Sequence, residues 1–235
     1  LFSFKNSINI PLDKRNLVLK SLPIKIRDQN LILDPLKAIF WEDQQILILS
    51  DIHFGKAGHF RKSGIPIPNN IHHDDIKNLR RLIRLYSPKR TIIVGDLFHS
   101  QLNQEWHDLR DFFLLEKDVD FILVKGNHDI LDVQNYHPVL HCVDEFQLGP
   151  FYFTHEPRDF SPSLYNISGH IHPSISVNGK GRQNLRLSCF YFSENCAVLP
   201  SFGNFTGYYR ISVKFGDLIY LIVDEQVIPY NSFMC

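Results

Sequence analysis

At 235 residues, with 44% hydrophobic and 21% charged side chains, the chain is long enough for one large domain around a sizeable core and has no composition of disorder. Lysine plus arginine and aspartate plus glutamate both number 25, so no global field draws the protein to nucleic acid or membrane, and any polyanion must be met by local patches. No apolar run is long enough to cross a bilayer, and Leu1 to Asn9 lacks the basic, apolar and small-residue regions of a signal peptide. Cys142, Cys189, Cys196 and Cys235 have no metal-knuckle spacing and read as reduced thiols of a cytoplasmic protein. Histidine is the outlier: twelve is high for this length and points to a neutral surface or a metal site.

The short apolar runs Leu17 to Leu22, Leu31 to Leu33 and Ala38 to Trp41 are separated by turn residues such as Asp28-Gln29-Asn30. They predict antiparallel strands leading into Ile46-Leu47-Ile48-Leu49, a run with the pattern of a strand buried on both faces. That run ends in Ser50-Asp51-Ile52-His53. In α/β sheets chemistry collects beyond the carboxyl ends of such strands. The glycines and prolines from Gly58 to Pro68 predict a loop, and it carries His59, Arg61 and Lys62 just beyond Lys56. From Asn70 to Tyr86, Ile76, Leu79, Ile83 and Tyr86 share a helical face. Lys77, Arg80, Arg81 and Arg84 fall largely on the other, which reads as a solvated face or, less commonly, a nucleic-acid stripe. Thr91 to Val94 is a second buried strand ending in Gly95-Asp96-Leu97-Phe98-His99. A helix follows over Gln104 to Lys117, then a strand over Phe121 to Val124 ending in Gly126-Asn127-His128-Asp129. This is the βαβ rhythm of a parallel sheet.

Beyond Pro138 short strands dominate: Phe151 to Thr154 ending in His155, Tyr165 to Ser168 ending in Gly169-His170-Ile171-His172, then Ser174 to Val177, Leu185 to Phe192 and Cys196 to Leu199. Tyr209 to Phe215 and Leu218 to Val223 predict a hairpin around Gly216-Asp217. No repeat or domain boundary is visible.

Five strand ends thus offer Asp51 with His53, Asp96, Asn127 with His128, His155, and His170 with His172. Singly, Asp96 could cap a turn, Asn127 hold a left-handed backbone and His155 sit in the core. Jointly, imidazole, carboxylate and side-chain amide suit divalent metals of the manganese, iron and zinc range. Two such ions, about 3.5–4 Å apart, clamp a phosphoryl group and generate a nucleophile near neutral pH.

The ordered set Asp51-Ile52-His53, Gly95-Asp96, Gly126-Asn127-His128-Asp129, His155 and Gly169-His170-Ile171-His172 resembles the calcineurin-like metallophosphoesterases. The resemblance implies one domain over residues 1–235, a four-layer α/β/β/α sandwich of two mixed sheets. It also implies two divalent ions, with Mn2+ first and iron or zinc as alternatives. Asp51, His53 and His172 would hold one ion, Asn127, His155 and His170 the other, with Asp96 bridging. His128 would face the phosphate and its leaving group, acting as the catalytic acid or stabilising the transition state, while a metal-bridging hydroxide attacks in line. The second block reads Gly95-Asp96-Leu97-Phe98-His99 where many members have a second aspartate, a form also found in the recombination-repair nuclease branch. A closer resemblance rests on His53-Phe54-Gly55-Lys56, His59-Phe60-Arg61, Gly64-Ile65-Pro66 and Leu199-Pro200-Ser201-Phe202-Gly203-Asn204-Phe205-Thr206-Gly207. These look like the bacterial ligase-associated phosphoesterases, which implies DNA as substrate, a role in DNA repair and association with an ATP-dependent DNA ligase and a helicase. His59, Arg61, Lys62 and His99 are then expected to grip the phosphate backbone. Two other readings stay open: the same chemistry on a small nucleotide or phosphomonoester, which the near-zero charge favours, and a non-catalytic scaffold, which the filled ligand positions oppose.

Overall fold

The computed structural model describes residues 20–56, 71–99, 102–158, 163–178, 184–204 and 206–230, with backbone alone at 71–73 and 178. Its first sheet has seven strands in chain order: β1 (Leu22–Ile26), β2 (Gln29–Asp34), β3 (Ala38–Trp41), β4 (Ile46–Leu49), β5 (Arg90–Val94), β6 (Asp120–Val124) and β7 (His141–Val143). The pairings from β1 to β4 are antiparallel and those from β4 to β7 parallel. Helices α1 (Ile71–Tyr86), α2 (Gln104–Leu115) and the short α3 (Val133–Tyr136) make the crossovers. The second sheet contains β8 (Phe146–Leu148), β9 (Phe151–Phe153), β10 (Tyr165–Ser168), β11 (Pro173–Asn178), β12 (Asn184–Phe192), β13 (Cys196–Val198) and β14 (Tyr209–Arg210), joined by β15 (Leu218–Val223) and β16 (Gln226–Tyr230). It runs in the order β14-β11-β12-β13-β10-β9-β8, with β15 paired to β12 and β16.

Side-chain alternation sorts each central strand between two cores. Leu47, Leu49, Ile93, Phe121 and Leu123 face the helices, against Leu79, Leu82, Trp106, Leu109, Phe112 and Tyr136. Ile46, Ile48, Ile92, Val94, Ile122 and Val124 face the second sheet, against Phe151, Phe153, Ile167, Phe190 and Phe192. Strands covered on both sides must be apolar at every position, which is why β4 reads as an unbroken run. The α/β sandwich of two mixed sheets follows from this double covering. On the outer face of the second sheet, Ile175, Cys189, Ile219 and Leu221 form a smaller cluster with Leu187, Ile211 and Val213.

Three local expectations are corrected. Among the described residues the first strand is Leu22–Ile26, beginning where the expected run Leu17 to Leu22 ends; Leu17 to Leu19 lie outside the described residues. The strand's turn is Arg27-Asp28 at φ 48° and 62°, the geometry of a two-residue hairpin loop. Gln29 and Asn30 are therefore already in β2. The tail hairpin is β15 with β16, closed by Asp224-Glu225 with Asp224 at φ 52°, and not a pairing around Gly216-Asp217. Tyr209-Arg210 instead pairs in parallel with β11. Strands β7, β8 and β16 were not expected, because runs of three residues and a proline at position 229 carry little periodicity.

Candidate metal centre

The carboxyl ends of β4, β5, β6, β9 and β10 meet at one rim of the sandwich. Successive strand ends are laced by backbone bonds: Asp51 N–H donates to Gly95 C=O at 3.1 Å, His53 N–H to Asp96 C=O at 2.8 Å, and Gly169 N–H to His155 C=O at 3.0 Å. The turns are sharp. Asp51, His53, Asp96, His170 and His172 all have φ between 49° and 66°, a left-handed region that non-glycine residues occupy at some cost. Five of the seven expected ligands therefore sit in turns that only a tightly determined surrounding would hold.

The glycines that precede these polar pairs are explained by space. A Cβ on Gly95 would land on the His155 ring, one on Gly126 on the Asp96 carboxylate, and one on Gly169 on the Asp51 carboxylate. Each glycine lets one strand end approach a donor belonging to another strand.

Two groups of donors result. Asp51, His53 and His172 each place a ligand atom within 4.8 Å of the others. Within this group His172 Nε2 is 3.3 Å from Asp51 Oδ1 and 3.4 Å from His53 Nε2. The second group gathers on His155, whose Nε2 lies 3.0 Å from Asn127 Oδ1 and 3.1 Å from His170 Nδ1. Asp96 stands between them: Oδ2 is 3.6 Å from His53 Nε2 and Oδ1 is 3.5 Å from His155 Nε2. Asp51 also belongs to a grouping with Asp96 and His155. The floor of the site, Asp51, His53, Asp96 and His155, is at most 6% exposed, while Asn127 and His170 are open to solvent.

These residues fit a divalent metal centre. Imidazole nitrogens and carboxylate oxygens converge in a buried space, and among the described residues His53 Nδ1 is buried without a hydrogen-bond partner. Burial holds the His53 imidazole down at about 3, so the ring stays neutral and able to ligate, although the Asp51 carboxylate opposes this. Burial alone would raise the Asp51 carboxyl, but the neighbouring His172, with His155 and His53, keeps it below its ordinary value.

His128 lies at the mouth, half-buried. Its N–H donates to Asp96 Oδ1 at 2.9 Å, and its Nε2 is 4.0 Å from Asp96 Oδ2. The His99 ring packs on it with centroids 3.9 Å apart. Lys56 is half-buried nearby; burial lowers its ammonium, while Asp96 and Asp51 pull the other way. His59, Arg61 and Lys62 lie outside the described residues.

Two supports were missed in the sequence. Asp129, the last residue of the Gly126 block, accepts N–H bonds from Leu97 at 2.9 Å and Phe98 at 3.1 Å on one oxygen and from Gly126 at 2.8 Å on the other. It clamps the Asp96 turn to the Asn127 turn, and burial raises its carboxyl to about 6 against those three bonds. The segment after β13 braces the Asp51 turn: Ser201 Oγ donates to Asp51 C=O at 2.8 Å and Phe202 N–H to Ser50 C=O at 2.8 Å. Asn204 Nδ2 then donates to the buried Asp75 carboxylate of α1 at 2.8 Å. An aspartate three residues beyond a strand-end glycine was the available signal for the first. For the second, the run Leu199 to Gly207 stood out only as part of a resemblance, and its bracing role had no local sign because its partners are about 150 positions apart.

A solved structure described as the Pseudomonas putida nuclease MPE superposes with a TM-score of 0.76 and is 29% identical, covering 90% of this chain and all of that one. A phosphoesterase from E. coli, Yfce, is 12% identical with a TM-score of 0.36 over 76% of this chain and 88% of its own, too distant to bear on the site. No curated protein sequence matches. The profile of the calcineurin-like phosphoesterases matches residues 45–219, the span that contains every one of the converging donors. The chain therefore belongs to the calcineurin-like phosphoesterase family, and it is a metal-dependent hydrolase of phosphate esters.

Proposed function

We propose that this protein is a two-metal phosphodiesterase that cleaves DNA as an endonuclease. The observation that carries this reading is the Asp96 carboxylate, which turns one oxygen to each donor group, with His128 at the open side. Asp51, His53 and His172 would hold one ion and Asn127, His155 and His170 the other, with Asp96 serving both. A pair of divalent ions, manganese first given the mixed nitrogen and oxygen donors, would supply Lewis acidity and an activated nucleophile near neutral pH. The chain's own work is positional. His128, outside both donor groups, is free to meet the phosphate and give a proton to the departing oxygen. The His99 ring packs against the His128 ring at a 39° tilt and would offer a further nitrogen to a phosphoryl oxygen. Lys56, with His59, Arg61 and Lys62 beyond it, would hold flanking phosphates, which only a polymer possesses. The resemblance to a nuclease along 90% of the chain supports the polymer over the small substrate.

The test is to strip the metals, reload manganese, iron, zinc or magnesium, and assay single-stranded DNA, duplex DNA, cyclic nucleotides and a chromogenic diester. Two ions per chain and DNA cleavage are expected. Changing Arg61 and Lys62 together to Ala should raise the KM for DNA and flatten its salt dependence, leaving the chromogenic diester unaffected. Turnover of nucleotides or the diester without DNA cleavage would favour the small-substrate reading, with which the net charge of zero agrees.

A further inference from the structure

The rim of the metal centre continues onto the edge of the second sheet. His172 Nδ1 is 3.1 Å from Gly207 C=O, and Tyr209 N–H donates to His172 C=O at 3.0 Å. The next residues, Tyr208-Tyr209-Arg210, enter β14, which closes that edge of the sheet. Both tyrosines are solvent-facing, at 44% and 64% exposure, and so is Arg210.

Register sorts these three side chains between the two faces. Arg210 aligns with Ser174 of β11, and Ser174 with Ser188 of β12. Ser188 shares its face with Phe190 and Phe192, which pack toward the first sheet. Tyr209 aligns with Pro173, one step off, on the face where Ile175, Leu187 and Ile211 cluster outward. Alternation puts Arg210 on the inner face and Tyr209 on the outer one, and carried back one residue to Tyr208, which directly precedes the strand, it returns to the inner side. Tyr208 is one residue, about 3.8 Å of chain, from the carbonyl that touches the His172 ring. Among the described residues Arg210 has no ion pair.

We propose that Tyr208 and Arg210 form a subsite for the nucleotide next to the scissile phosphate, Tyr208 stacking on an unpaired base and Arg210 pairing with its phosphate. The proposal rests on the nucleic-acid reading above and narrows it to an unpaired strand. An exposed aromatic ring beside a guanidinium is the pairing that binds single-stranded nucleic acid without regard to sequence. In a duplex the bases are already stacked on their neighbours and offer no free face.

The experiment measures binding of fluorescent oligo(dT), and of an abasic oligonucleotide of equal length, to the metal-loaded full chain, alongside cleavage. Tyr208→Ala is expected to raise the Kd for oligo(dT) about tenfold, the scale of one stacked base, and to leave the abasic strand unchanged. Tyr208→Trp should retain wild-type binding. Arg210→Ala should weaken both ligands and lower the salt slope by about one. Tyr209→Ala, on the other face, should change neither. An equal effect of Tyr208→Ala on base-bearing and abasic strands, or an equal effect of Tyr209→Ala, overturns the subsite. DNA cleavage indifferent to Tyr208 also overturns it while leaving the nuclease reading intact. Tyr208-dependent binding of oligo(dT) without cleavage supports the subsite and overturns the nuclease; no binding by the wild type overturns both.

Discussion

Asp96 has one oxygen near His53 and the other near His155, and the latter also accepts the His128 N–H. Asp96→Ala should therefore empty both donor groups, whereas His172→Ala should weaken chiefly its own. Elemental analysis of the purified variants checks this, and a single ion per chain that survives Asp96→Ala would refute the shared carboxylate. His128 stands outside the donor groups, so His128→Ala should keep the metals yet lose about 10²–10⁴ in rate. The loss should be smaller on esters with good leaving groups, which need no proton; equal losses would point to charge stabilisation instead. His53 gives a pH signature. Its imidazole is held near 3 in the fold by burial, against 6.5 in the open chain. Protons therefore bind the unfolded chain first, and His53 contributes stability above about pH 6.5 that is lost as pH falls toward 3. Urea unfolding of metal-free protein should show this slope, and His53→Gln should flatten it.

At the scale of elements, each central strand delivers its polar pair through a turn that another turn must hold. Asp129 is the clearest case, with one buried carboxylate receiving three N–H groups from two strand ends. In Asp129→Asn one of the two oxygens becomes an N–H donor facing an N–H. The Asp96 and Asn127 turns should then separate, and metal affinity should fall by about 10–100-fold, as for other residues that orient ligands. Calorimetric titration of the metal-free variant measures this. A merely structural loss would lower the melting temperature while leaving the affinity of the folded fraction unchanged. Gly126 and Gly169 serve the same close approach, since any side chain there meets a carboxylate of the opposing turn.

Across the whole molecule, the two halves of the centre are brought together by the core between the sheets. Asp51 and Asp96 end strands of the first sheet, and His155, His170 and His172 follow strands of the second. Phe153 is fully buried in that shared core, two residues before His155. Phe153→Ala should cost about 3–5 kcal/mol, the usual range for a buried phenylalanine. It should also weaken the Asn127, His155 and His170 group before the other. Urea unfolding and metal titration of the same variant separate the two effects. Among the described residues no helix is long and apolar enough to cross a membrane.

The strand-forming runs, the βαβ rhythm from β4 to β6 and the polar pairs that end each strand could be read from the chain alone. Each depends on periodicity or on neighbours a few residues away. Asp51-Ile52-His53 and Gly169-His170-Ile171-His172 are recognisable as candidate ligand pairs because both members come from one turn. What the chain could not reveal depends on residues far apart. Leu218 to Val223 was expected to pair with Tyr209 to Phe215, but the Asp224-Glu225 loop turns it back onto β16, a strand that Pro229 had hidden. The glycines looked like ordinary turn residues until the opposing carboxylates and the His155 ring were seen against them. Ser201 and Asn204 stood in a recognisable run, but nothing local showed what they brace, because their partners Asp51 and Asp75 lie 150 and 129 positions away. Sequence determined which donors stand at which strand ends, since that is local chemistry. Only the packing of one sheet on the other decided which donors share a centre, because that contact is made by apolar faces whose pattern fits many partners.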